Sequence, residues 1–243
     1  MKHINIFGFT VFSDSLEKID LSTGKTRVLS TISPNSYGIS TKDHLFKEAL
    51  KECDYLVLDG VYFALASIFL QRRNIKKNQG PDVFYHFMSR MNRSTGKVFF
   101  LGSTKETLEK MKINALIDYP NILIDYYSPP FKSKFTEDEN SKMVEAINLF
   151  SPDILFVGMT CPKQEKWSFQ NKKKLKTNLI CGIGAVFDWY AGNYEEIKPI
   201  WWKLRLGWLI RAIQRPEVLS RNIPNYYIFF KDLFLSIIRI KSF

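Results

Sequence analysis

Five short apolar runs, each ending at or beside a glycine, punctuate the chain: "INIFG" from Ile4, "YLVLDG" from Tyr55, "VFFLG" from Val98, "ILFVG" from Ile154 and "LICGIG" from Leu179. Runs this short and this continuously apolar suit strands buried on both faces. Segments with helical spacing separate the later ones. "TKETLEKMKINAL" opens at Thr104, a residue that can cap a helix. "TEDENSKMVEAINLF" opens at Thr136 with acids in its first turn, where the helix dipole favours them. Strand, glycine, helix and strand in repetition predicts parallel βαβ units, hence an α/β fold with a Rossmann-like, mostly parallel sheet flanked by helices. "FGFTVFSD" followed by "LSTGKTRVLSTISPN" reads instead as an antiparallel hairpin or edge strands, with Thr23-Gly24-Lys25 as its turn. Neither an internal repeat nor a low-complexity linker is present.

A composition shift at Pro199 and the tryptophans after it places a boundary near residue 195. It divides the chain into an α/β core, residues 1–195, and a basic, aromatic-rich helical appendage, residues 196–243. From Ile197 onward nine Lys/Arg stand against two acids, so 7 of the 11 net positive charges of the chain lie in its last 47 residues. Such a balance points to anionic partners: nucleic acid, phosphorylated substrates or an acidic membrane face. "YYIFFKDLFLSIIRIKSF" is apolar yet interrupted by Lys231, Asp232 and Arg239, which suits a helix lying in a membrane interface better than one spanning it. A chain cut before the appendage is expected to fold. The N-terminal sequence lacks the apolar core and small-residue cleavage site of a secretory signal. Three cysteines (Cys53, Cys161, Cys181), odd in number and far apart, suit reduced thiols in a cytosol. Neither they nor the histidines form a metal-ligand spacing, and no metal site or cofactor is expected.

In open α/β sheets ligands sit outside the carboxyl ends of the strands. Four stretches fit that position: Asp59-Gly60, Gly102-Ser103-Thr104, Gly158 to Glu165, and Gly182 to Asp188. Each also has a plainer reading. With Cys161 as N-cap and Pro162 in the first helical position, Gln164 would complete a capping box. Asp59 at the end of an apolar strand is either a loop cap or a catalytic acid. Asp188 in "AVFDWYAG" is either a turn-fixing acid or a ligand group, and Asn35 in "SPNSYG" suits an Asx turn. A dehydrogenase reading is poor, because "GIGAVF" carries only two of the glycines of the dinucleotide fingerprint and has no acid about 20 residues on.

Together these stretches resemble the WecG/TagA/CpsF glycosyltransferases, glycosyltransferase family 26. The family pattern G-x-P-x-Q-E-x-W is met by Gly158, Pro162, Gln164, Glu165 and Trp167, with two extra residues before the proline. The pattern G-x-G-x-x-F-D-x-x-A-G is met by Gly182, Gly184, Phe187, Asp188, Ala191 and Gly192. A late Trp/Arg pattern is approximated by Pro199, Trp201, Arg205, Leu206, Gly207, Trp208, Arg211 and Pro216. "SPNSYG" and "LDGVYFALA" resemble the family's T-P-N and D-G segments. Departures from the family are Ser33 for Thr, Lys77 for Arg, and Arg215 for an acid.

The resemblance implies inverting transfer of a sugar from a nucleotide diphosphate donor, UDP, to a polyprenyl-diphosphate-linked saccharide in bacterial surface polysaccharide synthesis. It implies work at the inner face of the plasma membrane, and it leaves a homo-oligomer open. Asp59 falls on the family's base. Gln164 and Glu165 would bind donor sugar or nucleotide; Ser33 and Asn35 would orient the sugars. Gly102, Ser103, Gly158, Gly184 and Asp188 would line the site. Since no D-x-D motif occurs, Arg211, Arg215 and Arg221, helped by Lys77, would hold the diphosphate in place of a metal. The rival reading, a non-enzymatic module that binds nucleic acid or membrane through its basic tail, explains the charge but not Asp59, Gln164 or the glycines.

Overall fold

The structure is a computed structural model and describes residues 2–22, 24–72, 75, 78–194, 200–201, 210, 213 and 216–240. Its strands are β1 (His3–Ile6), β2 (Phe9–Phe12), β3 (Arg27–Ile32), β4 (Tyr55–Leu58), β5 (Lys97–Gly102), β6 (Leu123–Tyr127), β7 (Ile154–Gly158) and β8 (Leu179–Gly182). The helices are α1 (Pro34–Ser40), α2 (His44–Lys51), α3 (Val61–Gln71), α4 (Gly80–Ser94), α5 (Lys105–Asp118), α6 (Glu137–Phe150), α7 (Lys163–Asn171), α8 (Val186–Tyr190) and α9 (Pro216–Ile237). Six strands form one parallel sheet in the order β4-β3-β8-β7-β5-β6. This is the α/β architecture expected from the apolar runs, except that "INIFG" lies outside it, as β1 of a separate antiparallel pair with His3 and Asn5 exposed.

Strand side chains alternate between the two faces, which explains why both must be apolar. Val98, Phe100, Ile154 and Phe156 pack with residues of α4, α5 and α8, while Phe99, Leu101, Leu155 and Val157 pack with α6 and α7. The helices leaving β5 and β8 thus pass to one face, and those leaving β3 and β7 to the other. Adjacent strands with connections on opposite faces leave a crevice at their carboxyl ends, where a ligand fits. Thr104 caps α5 by accepting from Thr107 N–H, and Thr136 forms a full capping box with Glu139 at α6, as the sequence indicates.

One expectation fails. Arg27–Ile32 is no hairpin or edge strand: β3 lies inside the parallel sheet between β4 and β8. The turn at Gly24 is real (φ +65°), but it delivers the chain to a central strand whose Val28, Leu29, Ser30 and Ile32 are all buried. A turn signal says where the chain bends and not which strand it will pair with. The actual hairpin is β1–β2, closed by Phe7 (φ +53°) and Gly8 (φ +74°), with Asn5 Oδ1 accepting from Gly8 N–H at 3.1 Å.

Helix α9, the only long element described beyond residue 194, packs against α1 and α3. Phe229 is fully buried among Phe7, Tyr37 and Phe63, with ring centroids 5.1–5.9 Å away. The Tyr37 hydroxyl donates to Asp232 Oδ2 at 2.6 Å. A Cβ on Gly38 would lie 2.5 Å from Asn225 Cα, so the two backbones touch where only glycine fits. No helix among the described residues is long and apolar enough to cross a membrane.

Candidate active site

Strand order decides what can meet at the carboxyl edge. In sheet order, β4 delivers Asp59, β3 Ser33 and Asn35, β8 Gly182 to Gly184, β7 Gly158 to Glu165, and β5 Gly102 and Ser103. Neighbouring strands lie about 4.8 Å apart, so two strand spacings, roughly 10 Å, separate the β4 end from the β8 end. The chain therefore brings together at one edge residues that are up to 151 positions apart in sequence, Ser33 and Gly184. Acids at the opposite edge have a different task. Asp54 Oδ2 accepts from Val28 N–H at 2.8 Å, and Asp153 Oδ2 from Lys97 N–H at 2.8 Å, so both tie strands together.

At the β4 end, Asp59 is half-buried and its N–H donates to Ile32 O at 2.8 Å, which fixes its backbone to β3. Gly60 follows with φ +89°, a conformation that lets the chain turn directly into α3. Ser33 caps α1, its hydroxyl accepting from Ser36 N–H at 3.3 Å and its own N–H donating to Ser36 Oγ at 2.7 Å. Asn35 is not closed in an Asx turn: its Oδ1 accepts from Asn225 Nδ2 of α9 at 2.9 Å.

At the β7 end, the capping-box reading of Gln164 is corrected. Helix α7 begins at Lys163 after a cis Cys161–Pro162 peptide, Pro162 is the N-cap, and no side chain caps the helix. Gln164 instead turns inward, 4% exposed, and packs on the β8 loop. A Cβ on Gly182 would lie 3.3 Å from Gln164 Nε2, and one on Gly184 3.4 Å from Gln164 Oε1. Gln164 Nε2 donates to Glu165 Oε1 at 2.8 Å, and the Cys161 thiol faces the same carboxyl. Gln164 Oε1, Glu165 Oε2 and Ser168 Oγ are buried with no hydrogen-bond partner among the described residues. Buried polar atoms are rarely left so, and three together mark capacity for a ligand or water.

Burial pushes the Glu165 carboxyl up to about 7, against the opposing hydrogen bonds from Gln164 and Cys161. The consequence for stability has a definite sign. Below pH 4.5 the carboxyl is neutral in folded and unfolded chains alike. Between 4.5 and about 7 the unfolded chain releases the proton and the folded one holds it, so stability falls as pH rises, and levels off above 7. The fall is roughly 3 kcal/mol. Glu165→Gln is expected to remove that slope, as read from urea midpoints at pH 5 and pH 8. An unchanged slope in the variant would assign the titration to another group.

The remaining glycines also make close packing contacts. A Cβ on Gly158 would lie 2.3 Å from the Phe187 ring, and one on Gly102 2.4 Å from Gly158 O. Phe187, the aromatic of "AVFDWY", thereby wedges α8 against two strand ends. Ser103 O accepts from the Ser128 hydroxyl at 2.8 Å. Asp188 is half-buried in α8, and its carbonyl accepts from Asn193 N–H. Arg221 is exposed on α9, and its charge reaches Cys161. Lys77, Arg211 and Arg215 lie outside the described residues.

The contact of Cys161 with Glu165, the buried Ser168, and Asn225 and Asp232 opposite Asn35 and Tyr37 are not marked by the sequence. The last two pairs are separated by 190 and 195 residues, and no local pattern marks them. Two concavities among the described residues lie away from this edge, one of about 410 Å³ between Tyr85, Asp118 and Trp189, the other of about 480 Å³ at the amino ends of the strands around Arg27 and Lys172.

Comparison with known proteins places the chain in a family. A Bacillus subtilis (strain 168) protein named N-acetylglucosaminyldiphosphoundecaprenol N-acetyl-beta-D-mannosaminyltransferase is 27% identical over 220 residues, covering 89% of this chain and 84% of its own. A Staphylococcus aureus (strain MW2) protein of the same name is 27% identical over 198 residues, covering 81% and 76%. The model of the glycosyl transferase WecG/TagA/CpsF family matches residues 4–242. With a match over nearly its whole length, the chain belongs to the glycosyl transferase WecG/TagA/CpsF family.

Proposed function

We propose that this glycosyltransferase moves an N-acetylhexosamine, N-acetylmannosamine in its relatives' names, from a UDP donor to a diphosphoundecaprenol-linked N-acetylglucosamine, with inversion, in cell-surface polysaccharide synthesis. The observation that carries the reading is the convergence of Asp59 and the buried Gln164–Glu165 pair on one sheet edge, across the glycine loop of β8. The acceptor hydroxyl attacks the anomeric carbon as Asp59 takes its proton. The bond from that carbon to the diphosphate oxygen breaks, and UDP leaves with the electron pair. Gln164 Oε1 accepts from a sugar hydroxyl or amide, and Glu165 holds Gln164 in place. Ser33 and Asn35 orient the sugars, and Gly102, Ser103, Gly158, Gly184 and Asp188 line the site. Arg221, Arg211, Arg215 and Lys77 neutralise the departing diphosphate. The protein works at the inner membrane face, because the acceptor is anchored there. The deciding experiment incubates it with a panel of UDP-sugars and the lipid-linked acceptor, and looks for the disaccharide product. Failure with every UDP donor, alongside transfer from another nucleotide, would move the donor class.

The sequence carries no D-x-D pair to hold a metal on the diphosphate, and cationic side chains can take that role. The transfer rate is therefore expected to stay within about twofold in excess EDTA. A loss that Mg²⁺ or Mn²⁺ restores would reveal a metal site.

A further inference from the structure

Helix α3 is out of keeping with a surface helix. Its eleven residues, VYFALASIFLQ, contain no charge. Phe63, Ala66 and Ser67 face the core, yet the outward side is also apolar, with Phe69 63% exposed and Ile68 40%. A helix packed on a soluble domain ordinarily turns polar side chains outward. Beside it, α9 shows the same habit. Its inward side carries Asn225, Phe229 and Asp232, while Ile223, Tyr227, Phe230, Phe234 and Ile237 form an exposed stripe at helical spacing. Tyr62 and Phe230 meet edge-on at 5.3 Å and join the two apolar faces into one. Contiguous exposed apolar surface of this kind marks an interaction site.

Cations border the patch. Arg72 follows α3 and is exposed, Lys231 stands exposed on α9, and Arg239 is exposed just past its end. Acids are nearly absent: α3 has none, Asp232 is buried against Tyr37, and Glu217 lies at the far end of α9. A second copy of the chain is a poor occupant, since a two-fold contact would bring these cations against their own copies. Aromatic rings with cations at the border suit anionic headgroups over an acyl layer.

We propose that α3 and the outward stripe of α9 together form one face that lies on an anionic lipid bilayer, with Asp59 at its edge. Helix α3 starts two residues after Asp59, so an acceptor anchored in the bilayer meets the base without being lifted from the surface. The inference rests on the reading that the acceptor is lipid-linked, and it extends the membrane contact from the C-terminal segment into the core. The test is sedimentation of the full chain with vesicles of phosphatidylglycerol and phosphatidylcholine, without donor or acceptor, so that it stands apart from the transfer reaction. Phe69→Asp and Phe234→Asp should each lower partition about tenfold or more, Phe69→Ser less, and phosphatidylcholine alone should bind weakly. Thermal melting reports whether each variant folds, and Phe69→Ser serves if the aspartate does not. Partition unchanged in the folded Phe69 variants would overturn the assignment of α3. Equal binding to phosphatidylcholine alone would overturn the anionic partner. A dimer that Phe69→Asp dissociates, with vesicle binding intact, would give the face to a second copy instead.

Discussion

Asp59→Asn is expected to lower turnover by about 10² or more while leaving donor affinity within a few-fold of the original. The substitution preserves shape and removes the basic oxygen. Asp59 is the acid that β4 carries to the carboxyl edge, and its backbone is fixed to β3 through Ile32 O, so a polar isostere there should leave the loop in place. The measurement is single-turnover transfer to the lipid-linked acceptor beside a UDP binding titration. A small change in rate would remove Asp59 as the base. Glu165 would be next in line, since its carboxyl lies near 7 and could exchange a proton at neutral pH.

The second large effect concerns α9. A chain ending before residue 216 is expected to lose stability as well as transfer. Phe229 is a core residue, and Phe229→Ala alone should cost about 3–5 kcal/mol, read as a lower urea midpoint at unchanged slope. Truncation would also remove the Asp232 acceptor of the Tyr37 hydroxyl and the Asn225 partner of Asn35. Burial first, and then the Asp232 carboxylate, raise the Tyr37 hydroxyl well above its usual range, so it stays a donor at any working pH. The expectation that the appendage can be cut without loss of folding came from its composition. Composition does not show that Phe229 fills the space between Phe7 and Phe63. A truncated protein with an unchanged midpoint would return α9 to the status of a removable tail.

What the sequence by itself determined is local. Four of the five apolar runs became strands of the parallel sheet, whose residues must be buried on both faces, while "INIFG" became β1 of the antiparallel hairpin with one face exposed; Thr104 and Thr136 capped the helices they precede. The glycine endings placed the loops at the carboxyl edge, and the four stretches at Asp59, Gly102, Gly158 and Gly182 were found there. Tertiary structure decided the partners. "RVLSTI" entered the middle of the sheet although its turn suggested a hairpin, because strand pairing is chosen by which buried faces match across the whole domain. Gly102 and Gly158 proved to be required by a carbonyl and by Phe187, contacts that no spacing rule contains. Gln164 left the helix cap for the β8 loop because burial against Gly182 and Gly184, with Glu165 to receive its amide, replaces the cap contact. The docking of α9 joined residues 190 positions apart. Periodicity encodes which side of an element is apolar; only closure of the core decides what that side will touch.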